Sequence, residues 1–321
     1  MIYNQFKNML YEVLSIAINA GRIIMRLYGQ SDFSTKDDNS PLTQADLESH
    51  TFIIRELSKH YPYKICSEEA TLTHNERKDL EYYWLIDPLD GTKDFLAQNG
   101  NFTINIALIH RNIPILGVIY APALHEAYMA LKGFGSYGYN ITDLKEAIRC
   151  EKLDTIWLDS HKIPLRRKNL IHIYGENLHL FQNMDSKIHE IILKNYNNMF
   201  ASEKQKSILI ACDSMFHSTK ETRDFIESLQ ATTLKRGSSL KLCALASGLA
   251  DLYPRFNGTS EWDTAAGHII LHETGGDIIN IETKKSLSYN KANFRNSHFI
   301  ALSKKLIDEK FIGRIFEHNN T

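Results

Sequence analysis

Phe6, Met9, Leu10, Val13, Ala17, Ala20, Ile24 and Leu27 recur at the spacing of three and four that places side chains on one face of an α-helix. Gly29 follows where a left-handed cap would fall, so the pattern predicts one amphipathic helix over 4–28 that covers a sheet. A second stripe, Phe52, Ile53, Ile54 and Leu57, predicts a helix opening at Thr43, whose hydroxyl can cap it while Asp46 completes a capping-box-like pair. The preceding Asp38, Asn39, Ser40 and Pro41 read as loop.

The period then changes. Residues 82–86 form a short aromatic and apolar run that stops at Asp87-Pro88, since proline cannot continue a central strand, and this predicts a buried strand ending in carboxylates. Residues 102–109, 113–120 and 126–131 predict three further strands in an antiparallel meander, with turns at Arg111-Asn112 and Ala121-Pro122 and a flexible closing turn at Gly133, Gly135 and Gly138. From 141 to 206 the composition shifts to Asn, Lys, His and Leu with a single glycine, Gly175, and this stretch reads as an insertion with a helix over 186–198. Beyond it, 208–211 and 232–235 predict strands, and 240–253 and 264–274 predict helices, the last ended by Gly275-Gly276.

Composition narrows the function classes. With 321 residues, 43% hydrophobic and 23% charged, the chain can bury a large core around a cleft. Its 37 basic and 38 acidic side chains cancel, so no global field draws it to a nucleic acid polymer, although a local basic pocket for a small anion remains open. Lys7, Glu12, Arg22 and Arg26 lie among the amino-terminal apolar residues and break up any signal-peptide core or membrane span, so neither is expected there. Cys66, Cys150, Cys212 and Cys243 form no CxxC pair and read as free thiols of a cytoplasmic protein.

Four acidic elements stand at the predicted ends of strands and helices: Asp46, Glu68-Glu69, the segment Asp87-Pro88-Leu89-Asp90-Gly91-Thr92, and Asp263 after Trp262. Singly, each has an ordinary explanation as a turn, a solvated pair or a helix cap; Asp263, for example, could cap a helix starting at Thr264. Together they suggest an oxygen-only donor set without histidine, which suits Mg2+ and not zinc. Pro88 and Leu89 can turn the Asp87 and Asp90 carboxylates and the Leu89 carbonyl towards one point. A helix opening near Thr92 would aim the amides of Gly91 and Thr92 at a phosphate. Gly237, Ser238 and Ser239 precede another helix start, where Lys241 could add a cation; Arg255 offers a planar fork for phosphate, and Tyr253 and Phe256 offer faces for a base.

On these residues the chain resembles the inositol monophosphatase superfamily: Asp87-Pro88-Leu89-Asp90-Gly91-Thr92 looks like its first signature, Glu261-Trp262-Asp263-Thr264-Ala265-Ala266-Gly267 like its second, and Glu68-Glu69 sits upstream at the expected interval. Segments 38–43, 114–122, 237–241 and 252–256 resemble its CysQ-type bisphosphate nucleotidases. The resemblance implies a layered αβαβα sandwich of the inositol monophosphatase and sugar phosphatase type. In it 1–140 is an α+β metal-binding half, 141–206 an insertion, and 207–321 an α/β half that completes the pocket.

Carried over by position, Glu68, Asp87, the Leu89 carbonyl, Asp90 and Asp263 would bind two or three Mg2+ ions. Asp46, Glu68 and Thr92 would orient and activate the attacking water. Glu68, Leu89, Asp90, Gly91, Thr92, Gly237, Ser238, Ser239, Lys241, Arg255 and Asp263 would surround the substrate. The implied reaction is direct hydrolysis of adenosine 3′,5′-bisphosphate to AMP and phosphate, extending to the corresponding sulfated nucleotide and so to sulfate assimilation, with lithium sensitivity. The resemblance also allows peripheral contact with the inner membrane and leaves oligomeric state open. An inositol or sugar-phosphate monophosphatase on the same scaffold is the alternative, and a catalytically silent nucleotide- or metal-binding regulator is the alternative of another class. A serine-histidine element expected after the first strand of the second half is not matched cleanly; Asp213-Ser214 and His217-Ser218 are candidates without an assigned role.

Overall fold

A computed structural model of the chain describes residues 2–30, 33–35, 41–140, 161–162, 209–309, 311 and 313. The helix expected over 186–198 and the loop residues 38–40 lie outside the described residues.

Two helices, α1 (Ile2–Leu27) and α2 (Gln44–His60), form the first layer. A short ribbon, β1 (Phe33–Thr35) paired antiparallel with β2 (Pro41–Thr43), leads into α2. Thr43 caps α2 with Asp46 in a capping box, as the sequence predicts. The second layer is a seven-stranded sheet in the order β3 to β9: β3 (Lys64–Ser67), β4 (Tyr82–Asp90), β5 (Thr103–His110), β6 (Ile113–Ala121), β7 (Glu126–Leu131), β8 (Gly135–Asn140) and β9 (His161–Lys162). Two short helices, α3 (His74–Arg77) and α4 (Thr92–Leu96), flank β4.

Period-two alternation assigns the two faces of this sheet. Trp84, Ile86, Ile104, Ile106, Leu108, Leu116 and Val118 pack with α1 and α2, whereas Tyr83, Leu85, Ala107, Ile109 and Ile119 face the other side. Both faces are apolar because both are covered. The middle layer contains α6 (Leu240–Ala246) and α7 (Glu261–His272). Beyond it lies a five-stranded mixed sheet in the order β11-β10-β12-β14-β13, from β10 (Ile210–Ser214), β11 (Thr232–Arg236), β12 (Leu252–Arg255), β13 (Asp277–Asn280) and β14 (Phe299–Leu302). Its outer face carries α5 (Lys220–Ser228) and α8 (Lys304–Asp308) around Ile226, Ile300 and Leu306. The result is an αβαβα sandwich.

Several expectations are corrected. The strand at 82–86 does not stop at Asp87-Pro88; β4 runs to Asp90 through a bulge between Asp87 and Asp90, where Pro88 needs no ladder hydrogen bond. Gly135 and Gly138 do not close the meander as a turn, because they lie within β8, which pairs with β7. Residues 161–162, inside the expected insertion, pair with β8 as an edge strand. The helix expected over 240–253 ends at Ala246, because Gly248 adopts a left-handed φ of 71° and the chain re-enters the sheet as β12, which holds Tyr253. Helix α7 starts at Glu261, not Thr264: Ser260 is its N-cap and Asp263 its third residue.

Helix α7 lies directly on β6 at Gly117. A Cβ added there would sit 2.5 Å from Ile269 Cγ2 and 2.6 Å from the Ala266 carbonyl oxygen, so glycine permits the approach. Gly117→Val is expected to destabilise the chain by about 1–3 kcal/mol, the usual cost of overpacking. Urea unfolding followed by circular dichroism checks this, and an unchanged midpoint would contradict the contact.

Candidate metal and phosphate site

The bulge of β4 is pinned from two sides. The Ser49 hydroxyl of α2 donates to the Pro88 carbonyl at 2.8 Å, and the Leu89 amide donates to Asp87 Oδ1 at 3.1 Å. This turns Asp87, 1% exposed, inward beside Asp90. Asp90 is held by the Ser239 amide at 2.7 Å and the Asn105 side-chain amide at 3.2 Å. From the first turn of α7, Asp263 accepts the Ser260 amide at 2.8 Å. One carboxylate oxygen from each of Asp87, Asp90 and Asp263 lies within 4.8 Å of the others, although Asp263 is remote in sequence. Glu68 follows β3 with its amide on the Ile86 carbonyl at 3.1 Å, and its charge adds to that on Asp263.

Withdrawal from water raises the pKa values of Asp90 and Asp263 above the usual carboxylate range; mutual repulsion and Glu68 push Asp263 further, while Lys241 opposes the rise at Asp90. Crowded, partly desolvated oxygen donors of this kind suit a hard divalent cation, which supplies the charge they lack. These residues fit such a group.

Asp46 serves both Thr43 and Thr92. Its Oδ2 accepts the Thr43 amide at 2.7 Å and hydroxyl at 2.6 Å, closing the cap of α2, while Oδ1 accepts the Thr92 hydroxyl at 3.1 Å. Capping and site chemistry are therefore not competing explanations of this residue. Gly91, at the N-cap of α4, takes a φ of 90° that favours glycine, and Gly91 and Thr92 both line the cleft.

The cleft has a volume of about 270 Å³, and its opposite wall is built on the turn before α6. Ser238 and Ser239 hydroxyls meet Thr103 at 2.7 and 2.8 Å, and Ser239 also donates to Asn105 at 2.7 Å. The Ser239 amide is taken by Asp90. Gly237 is needed for contact, since a Cβ would lie 2.4 Å from the Asn101 carbonyl oxygen; it is not a cleft-lining residue. Lys241 is buried with its ammonium on the Ser238 and Arg236 carbonyls, and burial lowers its pKa to about 8 against the pull of Asp90. Arg255 lines the cleft 9% exposed; its Nη2 reaches the Gly258 carbonyl at 3.5 Å and its buried Nε has no hydrogen-bond partner among the described residues.

The two aromatic candidates separate. Tyr253 lines the cleft, packed edge-on against Phe299 with Lys241 over its ring, whereas Phe256 packs against Phe225 at the outer face of the second sheet, outside the cleft lining. Conversely, the cleft recruits Lys93, Asp94, Ser214, His217 and Arg295, to which the sequence reading gave no role. Ser214 accepts the His217 amide at 3.0 Å, and His217 Nε2 lies 3.2 Å from Lys93 Nζ. Burial, then the nearby Arg255 and Lys93 charges, lower the His217 pKa to about 4 and keep its ring neutral. Asp213 and Ser218 belong to a separate cluster with Lys235, at 2.7 and 2.6 Å from Asp213 Oδ2.

The sequence profile described as "Inositol monophosphatase family" matches residues 7–319. The chain belongs to the inositol monophosphatase family. Within reach of that family identity, it is 33% identical over 308 residues to the 3'(2'),5'-bisphosphate nucleotidase CysQ of Buchnera aphidicola subsp. Acyrthosiphon pisum, covering 94% of this chain and 96% of the relative. It is also 33% identical over 297 residues to the protein of the same name from Salmonella typhimurium, covering 91% and 98%. Among solved structures, CysQ from Bacteroides thetaiotaomicron, described as a bacterial member of the inositol monophosphatase family, superposes with a TM-score of 0.70 at 31% identity, covering 93% of this chain and 98% of that one. The inositol monophosphatase fold explains why remote segments converge: the bulge belongs to β4 of the seven-stranded sheet, and α7 packs on β4, β5 and β6 of that sheet.

In the metal-free protein Asp90 and Asp263 titrate above their unfolded values. Between those limits the folded state holds more protons than the unfolded state, so stability falls as pH rises through the window. Asp263→Asn removes one repelling charge. In EDTA it is expected to melt higher than the wild type at pH 7, with the difference vanishing near about pH 4, where unfolded carboxylates also protonate. Thermal melts across pH check this; a variant less stable at pH 7 would contradict it.

Proposed function

We propose that the chain is a Mg2+-dependent 3′(2′),5′-bisphosphate nucleotidase, a phosphoric monoester hydrolase that converts adenosine 3′,5′-bisphosphate to AMP and phosphate and also removes the 3′-phosphate of the corresponding sulfated nucleotide. The observation that carries the reading is the pairing of a crowded acidic cluster with buried cations, Lys241 and Arg255, on the facing wall of one cleft. The neutral polyol part of an inositol phosphate offers little to an Arg255 whose buried Nε lacks a partner among the described residues, whereas a second anionic group satisfies it. The names of the relatives, bisphosphate nucleotidases, support the same choice. The buried free thiols Cys66, Cys212 and Cys243 suit work in the reducing cytoplasm, where sulfate assimilation would generate the substrate.

In this reading Glu68, Asp87, the Leu89 carbonyl, Asp90 and Asp263 hold two or three Mg2+ ions. When bound, Mg2+ supplies the positive charge that stabilises the entering and leaving oxygens of an in-line displacement. The chain's own residues position the rest. The Thr92 hydroxyl, donating to Asp46 at 3.1 Å, keeps its oxygen available to accept a proton from the attacking water. Asp46 then takes the hydroxyl proton, and Glu68 helps aim the water. The new oxygen–phosphorus bond forms as the bond to the ribose 3′-oxygen breaks; that oxygen takes up a proton from solvent, and no phosphoenzyme forms. Gly91, Ser238 and Ser239 shape the walls around the phosphate and ribose, and Lys241 offsets the acidic cluster from beneath.

Phosphate release with Mg2+ is the direct test. The purified chain should prefer adenosine 3′,5′-bisphosphate to inositol 1-phosphate; the reverse preference would overturn the nucleotidase reading while leaving the family membership untouched. Asp90→Asn should retain its fold and lose at least about a hundredfold in turnover at saturating Mg2+, because a ligand charge is lost and not core packing. Lithium should inhibit the wild type; insensitivity would count against the ion arrangement proposed here.

A further inference from the structure

Arg295 is the cation of this cleft that the protein itself does not use. Lys241 is tied to two carbonyls, Arg255 reaches the Gly258 carbonyl, and Lys93 meets His217. Arg295 lines the same cleft, is exposed, and makes one hydrogen bond, from its backbone amide to Asn293; its guanidinium has no hydrogen-bond or ion-pair partner among the described residues. Its position is nevertheless defined. The backbone of Arg295 forms a bridge with Ser260, the residue that caps α7 and binds Asp263. Its guanidinium also lies across Gly258, where a Cβ would sit 2.1 Å from Nη2 and 2.7 Å from the guanidinium carbon. A glycine seats this side chain at a place that any larger residue would contest.

Two guanidiniums therefore converge on Gly258, Arg255 through the carbonyl and Arg295 across the α-carbon, both beside the helix start that carries Asp263. A planar, permanently charged fork with unsatisfied donors at a cleft mouth suits a phosphate oxygen pair. Resting on the nucleotidase reading above, we propose that Arg295, seated on Gly258, binds the second, non-reacting anionic group of the substrate, the 5′-phosphate, and so makes the enzyme select bisphosphates over nucleoside 3′-monophosphates. The 3′-phosphate occupies the acidic side of the cleft; the ribose spans the gap, and the 5′-phosphate meets the arginines.

The test compares adenosine 3′,5′-bisphosphate with adenosine 3′-monophosphate in the wild type, Arg295→Leu, Arg295→Lys and Gly258→Ala. The measured quantity is the ratio of kcat/KM for the bisphosphate to that for the monophosphate. Arg295→Leu should lower this ratio roughly tenfold or more, chiefly through KM for the bisphosphate, as expected for loss of a charge-assisted contact. Arg295→Lys should recover part of it, since charge remains but the fork is lost. Gly258→Ala should reproduce the selective loss, because the added methyl displaces the guanidinium without altering its charge. An unchanged ratio in Arg295→Leu, or equal losses on both substrates, would overturn the assignment of Arg295. A wild type that hydrolyses neither nucleotide but does hydrolyse inositol 1-phosphate would instead overturn the nucleotidase reading, and this inference with it.

Discussion

The structure depends on one electrostatic constraint: carboxylates from separate elements are brought close together where little water can screen them. Like charges at this separation repel in proportion to the loss of solvent, so the arrangement persists only because packing elsewhere enforces it. Ser49 and the Leu89 amide hold the bulge that presents Asp87, the Ser239 amide holds Asp90, and the Ser260 cap holds Asp263. The close approach of α7 to Gly117 brings the last of these to the first two. Local instability at the cluster is matched by extensive burial in the layers on either side, which is how strained functional sites are generally sustained.

A second network braces the same helix from behind. Glu261, fully buried at the first position of α7, accepts the amides of Asn290 and Lys291 at 2.9 and 2.8 Å and the Lys291 ammonium at 2.8 Å. Arg77 of α3, also fully buried, donates to Asn290 Oδ1 at 2.6 Å with its guanidinium over the Phe294 ring. The loop from 288 to 296 is thereby joined both to the first sheet's flank and to the start of α7. It ends at Asn296, whose side-chain amide reaches Thr259, Ser260 and Thr264. Residues that bind no substrate in this account decide where Asp263 points. The long α1 serves this packing with its buried stripe of Leu10, Val13, Ala17 and Ile24 against the sheet; no helix among the described residues is long and apolar enough to cross a membrane.

Much of this was legible in the residue pattern, and the limits have physical reasons. The helical stripes of α1 and α2, the capping of Thr43 by Asp46 and the antiparallel meander followed from local periodicity, which neighbouring residues alone determine. The bulge through Pro88 was missed because a proline in a central strand is excluded only when its amide would join the ladder, and the register shift removes that demand. Tyr253 and the end of α6 were misread because an apolar run can serve helix or strand, and only Gly248 with its left-handed turn separates them. The acids of the site were recognisable by their joint presence. The partners of Ser239, the packing of Phe256 outside the cleft, and the recruitment of His217 and Arg295 depend on contacts across the sandwich that no local spacing encodes.

The central claim, that Asp87, Asp90 and Asp263 together form a divalent cation site, is most directly tested by diffraction from crystals grown with Mn2+ in place of Mg2+. Anomalous difference density between these three carboxylates is predicted, and it should be lost in Asp263→Asn. A well-ordered crystal with the cleft intact and no anomalous peak within coordination distance of the three would contradict the account.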